Sequence, residues 1–208
     1  MRYLVEHSGA VLALLVQQAW LTAAALVIAS AIALPLGLLA ARKAAIRGPL
    51  LALLDVLYTI PSLALFVLLI PLLGLGFTPA LVALVVYAQI VLVRNVIVGL
   101  RGIDPAVLEA ARGMGMTGAQ RFRRVELPLA APVILAGMRV AILVTIGTST
   151  LAAFINAGGL GMLLFMGVSQ GHTDEIVAGA VAVSALALTA NVLMQRLEAR
   201  IASAVRGD

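Results

Sequence analysis

Long apolar stretches, each interrupted by at most one charge, constrain the possible folds of this chain more than any other feature of its sequence. No charged residue occurs between Glu6 and Arg42, and four further stretches of similar character follow. A helix of about twenty apolar residues can cross a bilayer, because a helix satisfies its own backbone polar groups there. Hydrophobic residues make up 63% of the chain and charged residues 11%, unlike a water-soluble domain. We therefore expect an all-α integral membrane protein with a single domain over residues 1–208.

The apolar stretches predict about five transmembrane helices. The stretch that ends at Arg42 exceeds the length of one span. We therefore divide it into a helix at the membrane interface, over about 5–17, and a first span. The five predicted spans are about 19–41, 50–73, 79–100, 128–150 and 176–196.

Helix-breaking residues interrupt this pattern at three places. Pro35 and Pro61 fall inside predicted spans and should kink them. The connection between the last two spans, over about 151–175, is rich in glycine. Its clustered glycines are Gly158, Gly159 and Gly161. This density favours turns and short broken helices over a continuous span.

The basic residues predict how the chain is oriented. Cytoplasmic loops of membrane proteins carry an excess of Lys and Arg. If the N-terminus is outside, the basic residues that fall inside are Arg42, Lys43, Arg47, Arg101, Arg112, Arg121, Arg123, Arg124, Arg196, Arg200 and Arg206. Arg2 then lies outside, and Asp174 and Glu175 lie in the outer loop. We therefore expect an external N-terminus and a cytoplasmic C-terminus, without a cleaved signal peptide.

Three charges fall within the predicted spans. Arg139 lies deep in the fourth span, where an unpaired charge costs about 2.5–3.5 kcal/mol or more. Asp55, in the second span, is the acidic residue available to pair with it. This pair is interpreted either as a structural link between helices or as a gate in a pathway. Arg94 is expected to extend its side chain to the inner membrane surface.

The composition argues against several classes of function. The chain has no Cys, which excludes disulfides and thiolate metal sites. Its one lysine, Lys43, is followed by alanine, so no nucleotide-binding P-loop is present. His7 and His172 have no partners at metal-ligand spacing, and no nucleophile–base pair is apparent. We expect neither an enzyme nor a cofactor-binding protein. The net charge of +5 reflects basic residues beside the spans, not a nucleic-acid interface.

The polar segment between the third and fourth spans, over about 101–127, predicts a helix-turn-helix. Asp104 and Pro105 are typical of a helix start, and the first helix should run from Ala106 to about Met114. Gly113 and Gly115 can end this helix and turn the chain. A second amphipathic piece should run from Ala119 to about Glu126. Its basic residues, Arg121, Arg123 and Arg124, are expected to face lipid headgroups or water.

A motif within this central loop resembles the EAA coupling motif of permease subunits in bacterial ABC importers. Glu109, Ala110 and Ala111 are followed at the motif's spacing by Gly115 and then by Leu127-Pro128. Val125 stands where isoleucine is usual. In such permeases the loop docks on a separate ATPase. By that resemblance, the residues expected to couple to the ATPase are Glu109, Ala110, Ala111, Gly113 and Gly115.

Three further segments resemble the glycine betaine/carnitine/choline branch of these permeases. They are Tyr58 to Leu65, which reads YTIPSLAL, Asp104-Pro105 leading into EAARGMGMT, and Ile146-Gly147-Thr148 leading into the AGGLG sequence at 157–161. The resemblance implies the type I importer fold, import of a small osmoprotectant and a place in a bacterial inner membrane. It also implies ATP and Mg²⁺ on partner ATPase subunits, an extracytoplasmic binding protein and a second permease copy.

The residues that line a translocation path are less well defined by sequence. Polar candidates within or beside the spans are Thr59, Ser62, Asn95, Thr148, Ser149, Thr150 and Asn156, although such side chains also hydrogen-bond neighbouring backbone. Aromatic residues are only 4% of the chain, so solute selection is expected mainly in the binding protein. Three alternatives stay open: the same machine with another solute such as an amino acid, an autonomous ion-coupled carrier, and a membrane scaffold.

Overall fold

A computed structural model describes residue 3 and residues 6–206, with the side chains of 202 and 204–206 excepted. The described part is helical and contains no strand. Its helices are α1 (Ser8–Arg42), α2 (Ala44–Thr59), α3 (Ser62–Leu73), α4 (Phe77–Arg101), α5 (Pro105–Gly113), α6 (Gly118–Arg121), α7 (Leu127–Leu151), α8 (Gly161–Gln170) and α9 (Thr173–Arg206). A π-helical turn, Phe122–Glu126, joins α6 to α7, and a 3-10 turn, Ala152–Ile155, follows α7. Arg2 and the side chain of Arg206, used in the orientation argument, lie outside the described residues.

The prediction of about five apolar spans agrees with these helices. Four segments are long and apolar enough to cross a membrane, namely α1, α4, the continuous segment 118–155, and α9. The bent pair α2 and α3 makes the fifth if it is counted as one span. Large apolar side chains such as Trp20 and Val27 are exposed on the outside of the bundle, as expected of a surface that faces lipid.

The predicted division of the first apolar stretch is wrong. Residues 8–42 form one helix of 35 residues, about 52 Å long at about 1.5 Å per residue. The start of the predicted interfacial helix, residue 5, lies outside the described part of the chain. No glycine or proline occurs near Gln17 and Gln18 to break the helix. The polar side chains of these two residues instead contact a distant loop, as described below.

Pro61 interrupts the second span more severely than a kink would. α2 and α3 meet at a break around Ile60 and Pro61 and are bent by 94°. Tyr87 of α4 donates a hydrogen bond from its hydroxyl to the carbonyl of Ile60, and so satisfies a backbone acceptor that the break releases. Pro35, by contrast, lies inside α1, which continues through it, and the kink predicted there stays a prediction.

Small residues allow α1, α4 and α7 to pack closely. A Cβ added to Gly37 of α1 would lie 2.6 Å from the Cβ of Val96 in α4. A Cβ added to Gly137 of α7 would lie 2.3 Å from the Cβ of Asn95. Such contacts need glycine at the crossing points, as is common where membrane helices approach each other. α4 is therefore the central helix, with α1 on one side and α7 on another.

Candidate functional site: the central loop and its anchors

The first helix of the central loop is fixed by its own sequence. The side chain of Asp104 accepts a hydrogen bond from the backbone N–H of Ala106 at 2.8 Å, and Pro105 occupies the first turn. α5 ends at Gly113, and Gly115 has a φ of +76°, a conformation that side chains with a Cβ rarely adopt. The predicted cap and the predicted turn at Gly115 are thus both confirmed.

α5 has two unlike faces. Leu108 and Ala111 face inward, and Ala111 is 1% exposed. Val107 and Ala110 of α5, and Met114 directly after its end, follow one another at i, i+3 and i+7 and lie beside the inward-facing side chains. Val107 is 41% exposed and Met114 69% exposed. We call the residues Val107, Ala110 and Met114 the apolar stripe. An exposed stripe of this kind in an otherwise charged loop is typical of a contact surface for another protein.

The structure places the predicted coupling residues on different sides of this helix. Glu109 and Ala110 are exposed, as are Gly113 and Gly115. Ala111 is buried, so its small side chain is not available to a partner. Instead it allows α5 to lie close to the rest of its own chain. The role of these residues in coupling stays a prediction.

The second half of the central loop differs from its prediction. Thr117 and Gln120 form a capping box, in which each side chain contacts the backbone N–H of the other. The Thr-x-x-Gln spacing could have signalled it. The helix that begins at Gly118 does not stop before the next span, because the π-helical turn carries it into α7. The second half of the central loop and α7 therefore form one continuous helical segment.

An ion cluster at Glu126 joins three elements at this end of the molecule. Arg121 Nε lies 2.8 Å from Glu126 Oε1, and Arg42 Nη2 lies 3.5 Å from Glu126 Oε2. The Arg42 guanidinium also lies over the ring of Phe122, 5.2 Å from its centroid. Arg121 therefore faces a carboxylate and not only headgroups or water. Sequence reasoning missed this cluster, although a lone Glu126 among arginines was a signal.

A cavity of about 510 Å³ lies between the ion cluster and α5. Its walls include the end of α1, the end of α4 and the inward face of α5, and its charged lining residues are Arg42, Arg101, Arg112, Arg121 and Glu126. The central loop thus rests on a partly open, basic space and not on a packed apolar core. This arrangement leaves α5 room to shift relative to the spans.

The predicted pairing of Asp55 with Arg139 is wrong. Asp55 Oδ1 lies 2.7 Å from Arg94 Nη2, and Arg139 Nε lies 3.0 Å from Glu198 Oε1. The helix contacts explain why each charge has a different partner from the predicted one. α2 packs against α4, which carries Arg94, whereas α7 packs against α9, which carries Glu198. Arg94 is therefore paired and does not extend alone to the membrane surface. A role of these charges as a gate stays a prediction.

The opposite end of the molecule is held by two adjacent glutamines of α1. Gln18 is 1% exposed. Its amide accepts a hydrogen bond from the backbone N–H of Leu160 at 3.0 Å and donates to the Ser149 hydroxyl at 2.8 Å and the Ile146 carbonyl at 3.1 Å. The Gln17 side chain accepts from the N–H of Gly159 at 3.2 Å. We call residues 156–161 the glycine loop. Sequence reasoning missed this contact, although two amides in an apolar helix were a signal.

The predicted path residues do not form one cluster. Thr59 donates to the Val56 carbonyl and Thr150 to the Gly147 carbonyl, both within their own helices. Ser62 begins α3 at the break, and Thr148 is half-buried in α7. Ser149 belongs to the Gln18 network. Asn95 bonds the Val91 carbonyl and packs against Gly137, and Asn156 adopts a left-handed conformation with a φ of 62° in the glycine loop. Their roles in transport stay predictions.

No cluster of three or more metal-ligating side chains occurs among the described residues. His172 Nδ1 lies 3.2 Å from Glu175 Oε1 near the start of α9. This contact joins residues three positions apart on one helical turn. This contact and the exposure of His172 are typical of a solvated loop.

Relatives of this chain are known from curated proteins. The osmoprotectant import permease protein OsmW of Salmonella typhimurium is 41% identical, covering 94% of each chain. The choline transport system permease protein OpuBB of Bacillus subtilis is 37% identical over 98% of this chain and 94% of its own. The carnitine transport permease protein OpuCB of Listeria monocytogenes is 38% identical over 89% and 85%.

Solved structures share the fold, and a family model covers most of the chain. An inward-facing MetNI methionine ABC transporter chain matches with a TM-score of 0.82 at 24% identity, covering 92% of this chain and 95% of its own. An amino acid ABC transporter chain matches with a TM-score of 0.76 at 22% identity, covering 95% and 96%. These likenesses confirm the type I importer permease fold. The family model described as "Binding-protein-dependent transport system inner membrane component" matches residues 33–207. The chain therefore belongs to this family of ABC transporter permease subunits.

Proposed function

We propose that this chain is the membrane-spanning subunit of an ATP-driven importer for a small osmoprotectant such as glycine betaine, choline or carnitine. The observation that carries the proposal is the exposed apolar stripe on a capped helix whose sequence matches the coupling motif. The names of the relatives at 36–41% identity, which include osmoprotectant, choline and carnitine permeases, support the solute class.

The apolar stripe fits an ATPase groove better than it fits lipid. α5 lies between the charged residues Asp104 and Arg121, and Glu109 and Arg112 are exposed on the same helix. A helix surrounded by charges is poorly suited to the hydrocarbon core. An apolar face that docks into a groove of a soluble protein buries its exposed side chains and leaves the charges at the rim. Glu109, Ala110, Gly113 and Gly115 would meet the ATPase there.

The Glu126 cluster would carry the movement of the docked helix into the membrane. It connects the end of α1 and the end of α6 to the π-helical turn that leads into α7. Closure of the ATPase around ATP and Mg²⁺ would move α5, and the cluster would carry that motion to α1 and α7. The partner ATPase, and not this chain, would bind and hydrolyse ATP.

The complete importer would also need a defined orientation, a second permease and a binding protein. The central loop would lie on the cytoplasmic side of the inner membrane, with the N-terminus outside. A second permease, either identical or similar, would complete the path, and an extracytoplasmic binding protein would deliver the solute. The binding protein would select the solute first, and the permease would act on what it delivers. The described part of this chain has isolated aromatic contacts, such as the edge-to-face pair of Tyr58 and Tyr87, and not the cage that binds quaternary amines elsewhere.

Reconstitution tests the proposal. The chain is inserted into liposomes with the ATPase and binding protein encoded beside it, and uptake of labelled glycine betaine, choline, carnitine and methionine is compared. We expect uptake of at least one of the first three, dependent on ATP inside the proteoliposomes and on the binding protein. Uptake of methionine alone would move the function to an amino-acid importer. Uptake by the chain without the ATPase, driven by an ion gradient, would contradict the proposal.

A further inference from the structure

The Asp55–Arg94 ion pair is exposed where an apolar helix should present only apolar side chains. The side chains of Asp55 and Arg94 are 53% and 52% exposed. At about 1.5 Å per residue, Asp55 lies about 12 Å along α2 from Arg47, and Arg94 about 10 Å along α4 from Arg101. If Arg47 and Arg101 mark the edge of a hydrocarbon core of about 30 Å, both charges lie about two helical turns inside it.

A second ion pair gives the contrast. Arg139 and Glu198 also lie in apolar helices, but their side chains are only 31% and 19% exposed, because the pair lies between α7 and α9. Charges inside a membrane face a bundle interior or a water-filled cavity, because lipid does not solvate them. The face that carries Asp55 and Arg94 therefore meets water or polar protein in the assembled transporter.

The backbone beside this pair is broken as well. α2 ends at Thr59, and α3 begins at Ser62 after the 94° bend. Irregular backbone at membrane depth is tolerated only where it is buried in protein or lines a water-filled cavity. Broken helices near the midplane also occur at the solute sites of transporters. Tyr58, one turn beyond Asp55 on the same helix face, is 45% exposed. Exposed charges and a helix break thus meet at one place.

We propose that Asp55 and Arg94 form a transit site for solutes that carry both a quaternary ammonium and a carboxylate. This inference rests on the proposed function and deepens it. The ammonium would lie against Asp55 and the exposed ring of Tyr58, and the carboxylate would receive hydrogen bonds from the Arg94 guanidinium, whose planar fork matches it. A zwitterion can replace the contact between the two side chains without changing the net charge of the site. Choline, which has no carboxylate, would engage only Asp55.

The experiment compares two solutes within each proteoliposome preparation. Initial ATP-driven uptake of carnitine and of choline is measured for wild type, Arg94→Gln, Arg94→Lys and the double exchange Asp55→Arg/Arg94→Asp. Arg139→Gln serves as the matched control in the buried pair. Because the ratio of the two rates is independent of how much transporter is assembled, a variant that inserts poorly lowers both rates and leaves the ratio unchanged.

For Arg94→Gln we expect the carnitine-to-choline ratio to fall about tenfold, the loss of a charge-assisted hydrogen bond worth about 1.4 kcal/mol. Arg94→Lys should lower it about threefold, since the charge stays and the fork is lost. Arg139→Gln should leave the ratio unchanged. If Arg94→Gln transports neither solute, the carnitine-to-choline ratio of Arg94→Lys tests the transit site in its place.

Two results would overturn the transit site. One is an unchanged ratio in both Arg94 variants. The other is full recovery of both rates in the double exchange, which would make the pair a structural link or a contact with a second permease. A wild-type transporter that takes up none of glycine betaine, choline and carnitine would instead show that the proposed function itself has failed, and the transit site with it.

Discussion

The two ends of this molecule are fastened by opposite kinds of contact. At the glycine-loop end, the buried and uncharged amide of Gln18 holds backbone and hydroxyl groups of distant segments. At the central-loop end, the contacts are charged and partly exposed, and α5 buries little more than Ala111. A buried neutral network keeps one geometry, because any displacement leaves unsatisfied polar groups. Partly solvated charges over an open cavity allow a loop to move. The difference makes the glycine-loop end the more rigid of the two and is consistent with the coupling role proposed for the central loop.

The largest expected effect lies at the rigid end. Gln18→Leu would remove three hydrogen bonds and leave the Leu160 N–H buried without its acceptor, which costs about 2–3 kcal/mol. We expect a clearly lower Tm in detergent and loss of transport. Gln17→Leu is the matched control, since Gln17 is exposed and makes one contact with the glycine loop. Equal melting temperatures for the two variants would remove the distinction between the ends.

A change at Glu126 should lower stability less than Gln18→Leu does and should act mainly on the coupling of transport to ATP hydrolysis. Glu126→Gln keeps the size of the side chain but removes the charge that holds Arg42 and Arg121. The ATPase should still bind, while solute transported per ATP hydrolysed falls by roughly fivefold, as for a contact worth about 1 kcal/mol. Both quantities are measured in the same proteoliposomes. An unchanged ratio of transport to hydrolysis would show that the cluster does not transmit motion.

The smallest expected effect is local. Thr117→Ala removes the capping box at the start of α6, which costs about 1 kcal/mol. Because the central loop is loosely attached, we expect faster hydrogen exchange at the first backbone N–H groups of α6, with little change in the Tm of the whole protein. Hydrogen-exchange mass spectrometry measures the first and thermal unfolding the second. A fall in Tm as large as that of Gln18→Leu would mean that this end is as rigid as the other.

Properties that depend on local sequence were predictable. Apolar length predicted the number and order of the spans, Asp104 predicted a cap, and Gly115 predicted a turn. Pro61 predicted only a kink, where the structure has a 94° break. Each of these depends on one segment and its own backbone chemistry.

Properties that depend on which helices are neighbours were not predictable. Hydropathy does not say that α2 lies against α4, so Asp55 was assigned the wrong arginine. It also does not say that Gln18 reaches a loop 142 residues away. The helix that carries Gln18 was wrongly divided because its apolar stretch exceeds the length of one span. The Glu126 cluster was missed because its members belong to α1, α6 and the π-helical turn, which only the tertiary fold brings together.

The most direct test of the account is capture of the ATPase encoded beside this chain by the purified permease. Wild type is compared with Glu109→Lys/Met114→Asp, which changes the exposed surface of α5 without touching Ala111, and with Asp174→Lys, a similar charge change at the opposite end. We expect wild type and Asp174→Lys to retain the ATPase and the double variant to lose it. Retention by the double variant, or no capture by a correctly inserted wild type, would contradict the coupling role of the central loop.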